Sequence, residues 1–543
     1  MFSYFKDIFK RRDSITRASL YIAIFSLISR LMGLFRDRLF AAKFGAGPQL
    51  DTYFAAFRIP DFIYNLLIVG AISSAFIPVF TRFLAKNKDK EALETADSVM
   101  NIVLVLWLIF ALLIFIFTYP LMHKLAPGFE PWQLEQSVKL TRIMLLSPLF
   151  FGISTVCGSI LNSYRRFFSY ALAPVLYNAG IILGVALFAE KIGVYALAYG
   201  VIFGAFLHMT VQFINAYLVG FRYRPILNLS PGVKRIIKLS GPRVLGMATD
   251  QINAIVQVII GSTLFAGAIT VLSLAQNLAF LPVGLFGVAL STAVFPTLSE
   301  KASLRDFSGF VKDFSRIART ILFLIIPVSV IFIILRAQIV RLILGTGHFT
   351  WNDTKLTYGI LGILAISMFA SGLIPLLTRS FYALEDTKTP LKIAITTVVV
   401  NILLALIFTG KIGGLNFGTK GLALAFTISA ILQMLLLLIY LKKKIKHLDG
   451  KKILESTARF VIITAAMTAV AQYLKFIIDP YVNLTHGVGV LTQFLFVSLI
   501  SLAVYFLLAY IFNIEEFDIF TRLFPFIKRR GLVEKRAYEE REE

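Results

Sequence analysis

The chain has 543 residues, of which 58% are hydrophobic and only 15% charged, with 51 Phe and 20 Tyr against 3 Trp. Soluble domains average about 45–50% apolar and about 25% charged residues, so this composition excludes a water-soluble globular protein and an intrinsically disordered one. The single cysteine, Cys157, excludes a disulfide framework or a thiolate metal cluster, and the net charge of +24 reads as a membrane-surface feature from its distribution below.

In chain order, residues 1–17 form a cytoplasmic or interfacial N-terminus, MFSYFKDIFKRRD followed by SITR. Its aromatics and cations suit either an amphipathic stretch in the headgroup layer or a solvated basic end. Apolar stretches of about 20 residues, the length that spans a hydrocarbon core, then recur along the chain. Fourteen are expected, at 18–35, 53–80, 98–121, 140–162, 169–189, 194–219, 239–262, 267–297, 320–340, 357–379, 393–409, 421–441, 457–474 and 488–513. A small cytosolic tail, 516–543, closes the chain.

Ionisable groups within these stretches are the most informative residues, because an Arg at a membrane helix centre costs about 2.5–3.5 kcal/mol and needs a cavity or a partner. The first span carries Arg30, Arg36 and Asp37 around Gly33. Six residues apart, the two arginines lie about 120° from one another on a regular helix, and a kink at Gly33 would bring them closer. Asp51, Arg58 and Asp61 flank the start of the second span, where Pro60 is expected to break or bend the helix. The seventh span holds Gly241, Pro242 and Arg243, then Asp250, Gln251 and Asn253. Arg30 and Arg36 read either as a cavity site for an anion or as members of internal Arg–Asp pairs. Asp250 reads either as a cation or proton site, completed by Asn401 of the eleventh span, or as the partner of Arg243. A lone Asn in a membrane helix equally serves as helix–helix glue.

With the N-terminus placed in the cytoplasm, the loops on that side hold about three times as many Lys and Arg as the opposite loops, a positive-inside signal that puts both termini in the cytoplasm. The basic residues thus face anionic headgroups rather than nucleic acid. AISSAFIPVF at 71–80 lines up with ALSTAVFPTL at 289–298, matching Ala71/Ala289, Ser73/Ser291, Ala75/Ala293 and Pro78/Pro296. YALAYG at 195–200 echoes GLALAF at 421–426 at a similar offset. The two matches point to a duplication. Each repeat holds six helices, an even number, so the halves are parallel: an N-lobe, 18–225, and a C-lobe, 226–445, with two further helices in 446–515. The fold class is an all-α polytopic membrane protein with two six-helix lobes around a central cavity, an architecture of alternating-access transporters. Neither a GxxxxGK[ST] phosphate loop nor an HExxH motif is present, so transport is favoured over catalysis.

The stretch SRLMGLFRDRLFAAKFGAGPQLDTYFAAFRIPDF with GAISSAFIPVF, together with LAPGF at 125–129, LNSYRRFFSYALAPVLYN at 161–178, LPVGLFGVALSTAVFPTLS at 281–299 and SFYALEDTKTPLKIA at 380–394, resembles the MurJ (MviN) family. These are flippases for the peptidoglycan precursor lipid II within the multidrug/oligosaccharidyl-lipid/polysaccharide exporter superfamily. The resemblance covers nearly the whole chain. It implies a cationic cavity between two lobes, with the family's essential arginines at Arg30 and Arg36, its acid at Asp51, and Arg58 in place of a lysine. Where many members carry arginines in the second helix this chain has Tyr64 and Asn65, and Asn277 replaces an arginine of the eighth; Arg58 or Arg243 would compensate. The implied activity is flipping of lipid II, or of another undecaprenyl-diphosphate-linked oligosaccharide, across a bacterial cytoplasmic membrane. A cation-coupled multidrug exporter would instead need an acidic cavity. No cofactor or metal is expected. The cycle would draw on the membrane potential, or on a sodium ion or proton near Asp250. Expected partners are the glycolipid, membrane lipids and cell-wall synthesis proteins.

Overall fold

The computed structural model describes residues 15–69, 76–484 and 486–518, with side chains omitted at 15–20, 67–69, 239–248 and 250. The interfacial N-terminus, the tail beyond 518 and the repeat positions Ala71, Ser73 and Ala75 lie outside the described residues. What is described is helical, and a lone bridge between Thr409 and Asn416 is the extended pairing present among those residues. The first helix, α1 (Ile15–Phe44), runs through Gly33 without a break and ends where Gly45 takes a φ of +64°, a left-handed stop that glycine adopts freely.

The second span is α2 (Pro48–Ile63), a wide π-type turn at Tyr64–Val69, and α3 (Phe76–Leu84). Contrary to expectation, Pro60 does not break α2. Proline removes one N–H, the one that would bond the carbonyl four residues back. That carbonyl, on Ala56, has the Thr141 hydroxyl 3.4 Å away. The helix loosens only afterwards, in the π turn. The chain continues through α4 (Asp89–Leu125), α5 (Pro131–Met144), α6 (Ser147–Ser163), α7 (Phe167–Ile192), α8 (Tyr195–Leu218) and α9 (Pro231–Ser262). Next come α10 (Ala268–Pro282), a second π turn at Val283–Val288, and α11 (Ala289–Ser303). The two π turns stand in the second and eighth spans at almost the offset of the sequence repeat, each just after a proline.

The remaining helices are α12 (Phe307–Ile334), α13 (Arg336–Leu344), α14 (Trp351–Ile366), α15 (Met368–Ala383), α16 (Lys388–Phe408), α17 (Thr419–Ile445), α18 (Gly450–Ile478) and α19 (Gly487–Ile511). Among the described residues ten helices are long and apolar enough to cross a membrane, or eleven when α14 and α15, bent by 48°, are taken as one span. Over their described residues the fourteen expected stretches are mainly helical, but the first, second and seventh fall short of that measure. Over its described side chains α1 is interrupted by Arg30, Arg36, Asp37 and Arg38, and α2 by Asp51, Arg58 and Asp61. The fully described apolar part of the seventh is only Gln251–Ser262.

The chain forms two compact units. One comprises residues up to Leu278 with Ile343–Ile360 and Ala394–Ser429. Inside it α1 packs on α7 and α7 on α8, while α9 packs on α2, α3 and α4. The α7–α8 crossing is glycine on glycine: a Cβ on Gly180 would meet the Gly204 Cα at 2.4 Å, and one on Gly184 the Gly200 Cα at 2.6 Å. Two small residues a turn apart on each helix let the backbones touch, which is how membrane helices gain packing without a hydrophobic driving force.

The other unit comprises Ala279–Leu342, Leu361–Ile393 and the residues from Ala430 onward. The second π turn sits against α15, where a Cβ on Gly287 would meet the Gly372 carbonyl oxygen at 2.6 Å. The two C-terminal helices dock on α12. Phe323 packs edge-on to Phe460 with centroids 5.4 Å apart, and the Tyr505 hydroxyl donates to the Phe323 carbonyl at 2.8 Å. Arg319, buried on α12, pairs with Glu515 at 3.0 Å and with the buried Glu516, both just beyond α19. The two units comprise segments different from the lobes 18–225 and 226–445.

Candidate substrate-binding site

Site residues cluster on α1, α2 and the start of α10, all within the first unit. Arg36 is fully engaged. Its guanidinium forms an ion pair with the neighbouring Asp37 at 2.8 Å, donates to the Asn178 side-chain oxygen on α7 at 3.3 Å, and lies 5.6 Å from the Phe40 ring centroid. Asp37, buried, also accepts from the Asn277 amide on α10 at 2.8 Å, at its other carboxylate oxygen. Asn178 in turn donates to the Ser29 hydroxyl at 3.1 Å. The network joins three helices and satisfies both charges in a place where an unmatched one is expensive.

Arg30 is placed differently. It is half-buried and has no hydrogen bond or ion pair among the described residues. One helical turn along, Gly33 faces open space, with nothing within 4 Å of where a Cβ would stand. Residues three apart share a helix face, so α1 presents an uncompensated guanidinium beside an opening. Because α1 is unbroken, Arg30 and Arg36 stay on different sides of it and are not brought together.

Asp51 has a structural partner, but no arginine. Its buried carboxylate accepts from the Gly267 amide at 2.6 Å, the Thr270 amide at 2.8 Å and the Thr270 hydroxyl at 2.7 Å. It thus caps the N-terminus of α10, where backbone N–H groups lack partners and the helix dipole favours an anion. Arg58 is half-buried with Asp61 as its charge partner, and its Nε is enclosed without a hydrogen-bond partner. Asp61 also accepts from Asn65 at 2.9 Å and from Gln251 of α9. Tyr64, in the π turn, bonds Thr155 and lies tilted on Phe151 with centroids 4.8 Å apart.

The side chains of Arg243 and Asp250, on α9, lie outside the described residues. Asn401 of α16 donates to the Asn253 side chain at 2.6 Å, joining α16 to α9. Sequence reasoning missed Asn178, Asn253 and Thr270 as partners. Asn178 and Thr270 are each a polar residue in an apolar run with nothing local to mark them, and Asn253 stands out beside Asp250 and Gln251 but nothing local ties it to Asn401.

Against known proteins, the pattern described as lipid II flippase MurJ matches residues 40–492. The chain belongs to the MurJ family of lipid II flippases. The probable lipid II flippase MurJ of Thermotoga maritima is 30% identical over 507 residues, covering 92% of this chain and 98% of the relative. A solved lipid II flippase MurJ in an inward closed conformation is 29% identical with a TM-score of 0.75, covering 91% of this chain and 98% of that one. A multidrug-resistance MATE family transporter of the MOP superfamily, in an inward-facing conformation, is 18% identical with a TM-score of 0.62, over 79% of this chain and 99% of that one, and shares the fold alone. The chain is a multi-pass membrane protein of a transporter family. Within the MurJ pattern its departures have a local account: Asn65 holds Asp61, Tyr64 holds Thr155, and Asn277 completes the coordination of Asp37 without adding a cation.

Proposed function

We propose that this chain flips lipid II from the inner to the outer leaflet of the cytoplasmic membrane, supplying it for cell-wall synthesis, and that Arg30 is its principal contact with the diphosphate. Family membership carries the substrate. One observation carries the residue: Arg30 is half-buried on α1 with no counter-ion among the described residues, whereas Arg36 is committed to Asp37 and Asn178. A guanidinium matches phosphate oxygens through paired N–H donors, so an incoming diphosphate supplies the missing partner. The enclosed Nε of Arg58 is a second unfilled donor on α2.

The cycle in this reading is alternating access: the headgroup enters from the cytoplasmic side, the polyprenyl tail stays in lipid, and the site then opens outward. Both termini lie in the cytoplasm, as the loop charges favour. An inside-negative potential assists outward movement of the anionic headgroup by about 2.3 kcal/mol per charge per 100 mV. The Asn401–Asn253 bond supports Asn401 as helix glue, so the potential is the favoured drive.

The test is complementation of cells depleted of their own lipid II flippase, with membrane levels checked. The parent chain should restore growth and Arg30→Ala should not, at equal abundance. Growth restored by Arg30→Ala would remove Arg30 from the site, and failure of a well-inserted parent chain would remove lipid II as the substrate.

A further inference from the structure

Where α3 ends and α9 begins, the first unit encloses a cavity of about 300 Å³ that the transport reading does not use. Four cations line it, Arg82 from the last turn of α3, Lys86 and Lys88 from the α3–α4 connection and Arg235 from the first turns of α9, and no carboxylate does. Lys88 is held by Glu91 at 2.6 Å. Arg82, Lys86 and Arg235 have no ion pair among the described residues. The frame beneath them is fixed. The Lys86 and Lys88 amides both donate to the Phe83 carbonyl, at 3.1 and 3.0 Å, through a turn in which Asn87 takes a φ of +54°. Gly232 brings α9 so close that a Cβ there would meet the Phe83 ring at 2.9 Å.

The cavity has two chemistries. Its rim is cationic, and its floor is apolar, formed by Phe83, Val79, Pro78 and Pro231. A soluble anion needs only the rim. A phosphodiester attached to a glycerol backbone uses both, with its phosphate at the guanidinium groups and its carbon skeleton on the floor. The cavity opens at helix ends on the side that the charge bias assigns to the cytoplasm, at headgroup depth, where each basic residue near an anionic surface contributes about a fivefold gain in binding, converted from roughly 1 kcal/mol.

We propose that this cavity is a phosphate-binding site, distinct from the α1 site, occupied by the headgroup of an anionic phospholipid of the inner leaflet. The test titrates the purified full chain in detergent with phosphatidylglycerol and with phosphatidylcholine, counting retained lipids by native mass spectrometry. Two double variants are compared: Arg82→Gln/Arg235→Gln in the cavity, and Lys442→Gln/Lys443→Gln, which removes the same charge at the end of α17.

The parent chain and the α17 variant should retain one phosphatidylglycerol in preference to phosphatidylcholine, and the cavity variant should bind it about 25-fold more weakly, about fivefold for each cation removed. Inorganic phosphate at millimolar levels that leaves the lipid in place assigns the site to a lipid headgroup. Phosphate that displaces the lipid and protects the chain itself assigns it to a soluble phosphate. Equal retention by the parent chain and the cavity variant, or equal loss in both double variants, overturns the site. All four substituted residues are exposed, so folding is not at stake.

Discussion

Two arginines on one helix, six residues apart, are placed differently, and what separates them is the partner each has among the described residues. Arg36 is matched by Asp37 next to it and steadied by Asn178, so its charge is internal to the fold. Arg36→Ala should leave buried Asp37 without its cation and lower stability by about 3 kcal/mol, read as a fall in the detergent melting temperature. Arg36→Gln with Asp37→Asn should recover most of that loss, because both charges leave together. If the double variant is as unstable as the single, the pair is not the reason. Outside the membrane, Asp386 shows the same logic in a titration. Partial burial works against its charge, but bonds from Lys444 at 2.7 Å and from the Thr389 amide and hydroxyl win, holding the carboxyl at about 2 against an ordinary 3.8. A depressed pKa stabilises at every pH above the ordinary value and is lost as pH falls through the shifted one. The melting-temperature gap between the parent chain and Asp386→Asn should therefore be constant from pH 5 to 8 and close between about pH 4 and about 2. A gap that changes around pH 6 to 7 would assign the effect to another group.

Helices carry the next layer. The apolar runs were legible because a membrane span must be about 20 residues long, and length with hydropathy is local information. Local geometry was less so. Pro60 reads as a break, yet α2 passes through it, since the carbonyl it orphans lies beside Thr141 and the strain emerges in the π turn that follows. That the eighth span repeats this pattern, with Pro282 before Val283–Val288, strengthens the duplication that Ala71/Ala289 and Pro78/Pro296 suggest. π turns recur at functional positions in helices. The α7–α8 crossing was legible in principle from Gly180, Gly184, Gly200 and Gly204, spaced four apart on each helix. Gly184→Leu would drive a side chain into the Gly200 backbone, and the variant should accumulate poorly and melt well below the parent chain. Gly33→Leu provides the contrast: it meets nothing within 4 Å, so stability should hold while transport falls several-fold as the space beside Arg30 fills. Unimpaired flipping by Gly33→Leu would place the substrate elsewhere.

Across the molecule, what sequence could not show is which polar residues meet. Asp51 reads as a site acid beside arginines, but its partners are the Gly267 and Thr270 amides, more than 200 residues away, where it caps a helix. Arg319, which nothing in the sequence singles out, is the buried anchor that holds the two added C-terminal helices through Glu515 and Glu516. Removing one member of such a buried pair costs about 3–5 kcal/mol. Arg319→Leu should therefore loosen α18 and α19, raising hydrogen exchange there while leaving the α7–α8 crossing protected; uniform exchange across the chain would show that the ion pair is not a local anchor. The family, by contrast, was legible from motifs, because its diagnostic stretches are contiguous. The most direct measurement of the central claim is lipid II flipping by the purified chain in proteoliposomes, comparing the parent with Arg30→Ala and with Arg36→Gln/Asp37→Asn. The account predicts flipping by the parent and by the charge-neutral pair, and at least tenfold loss in Arg30→Ala, about the contribution of one charge-assisted hydrogen bond. Flipping that persists in Arg30→Ala while the neutral pair is inactive would contradict it, moving the diphosphate from Arg30 to Arg36.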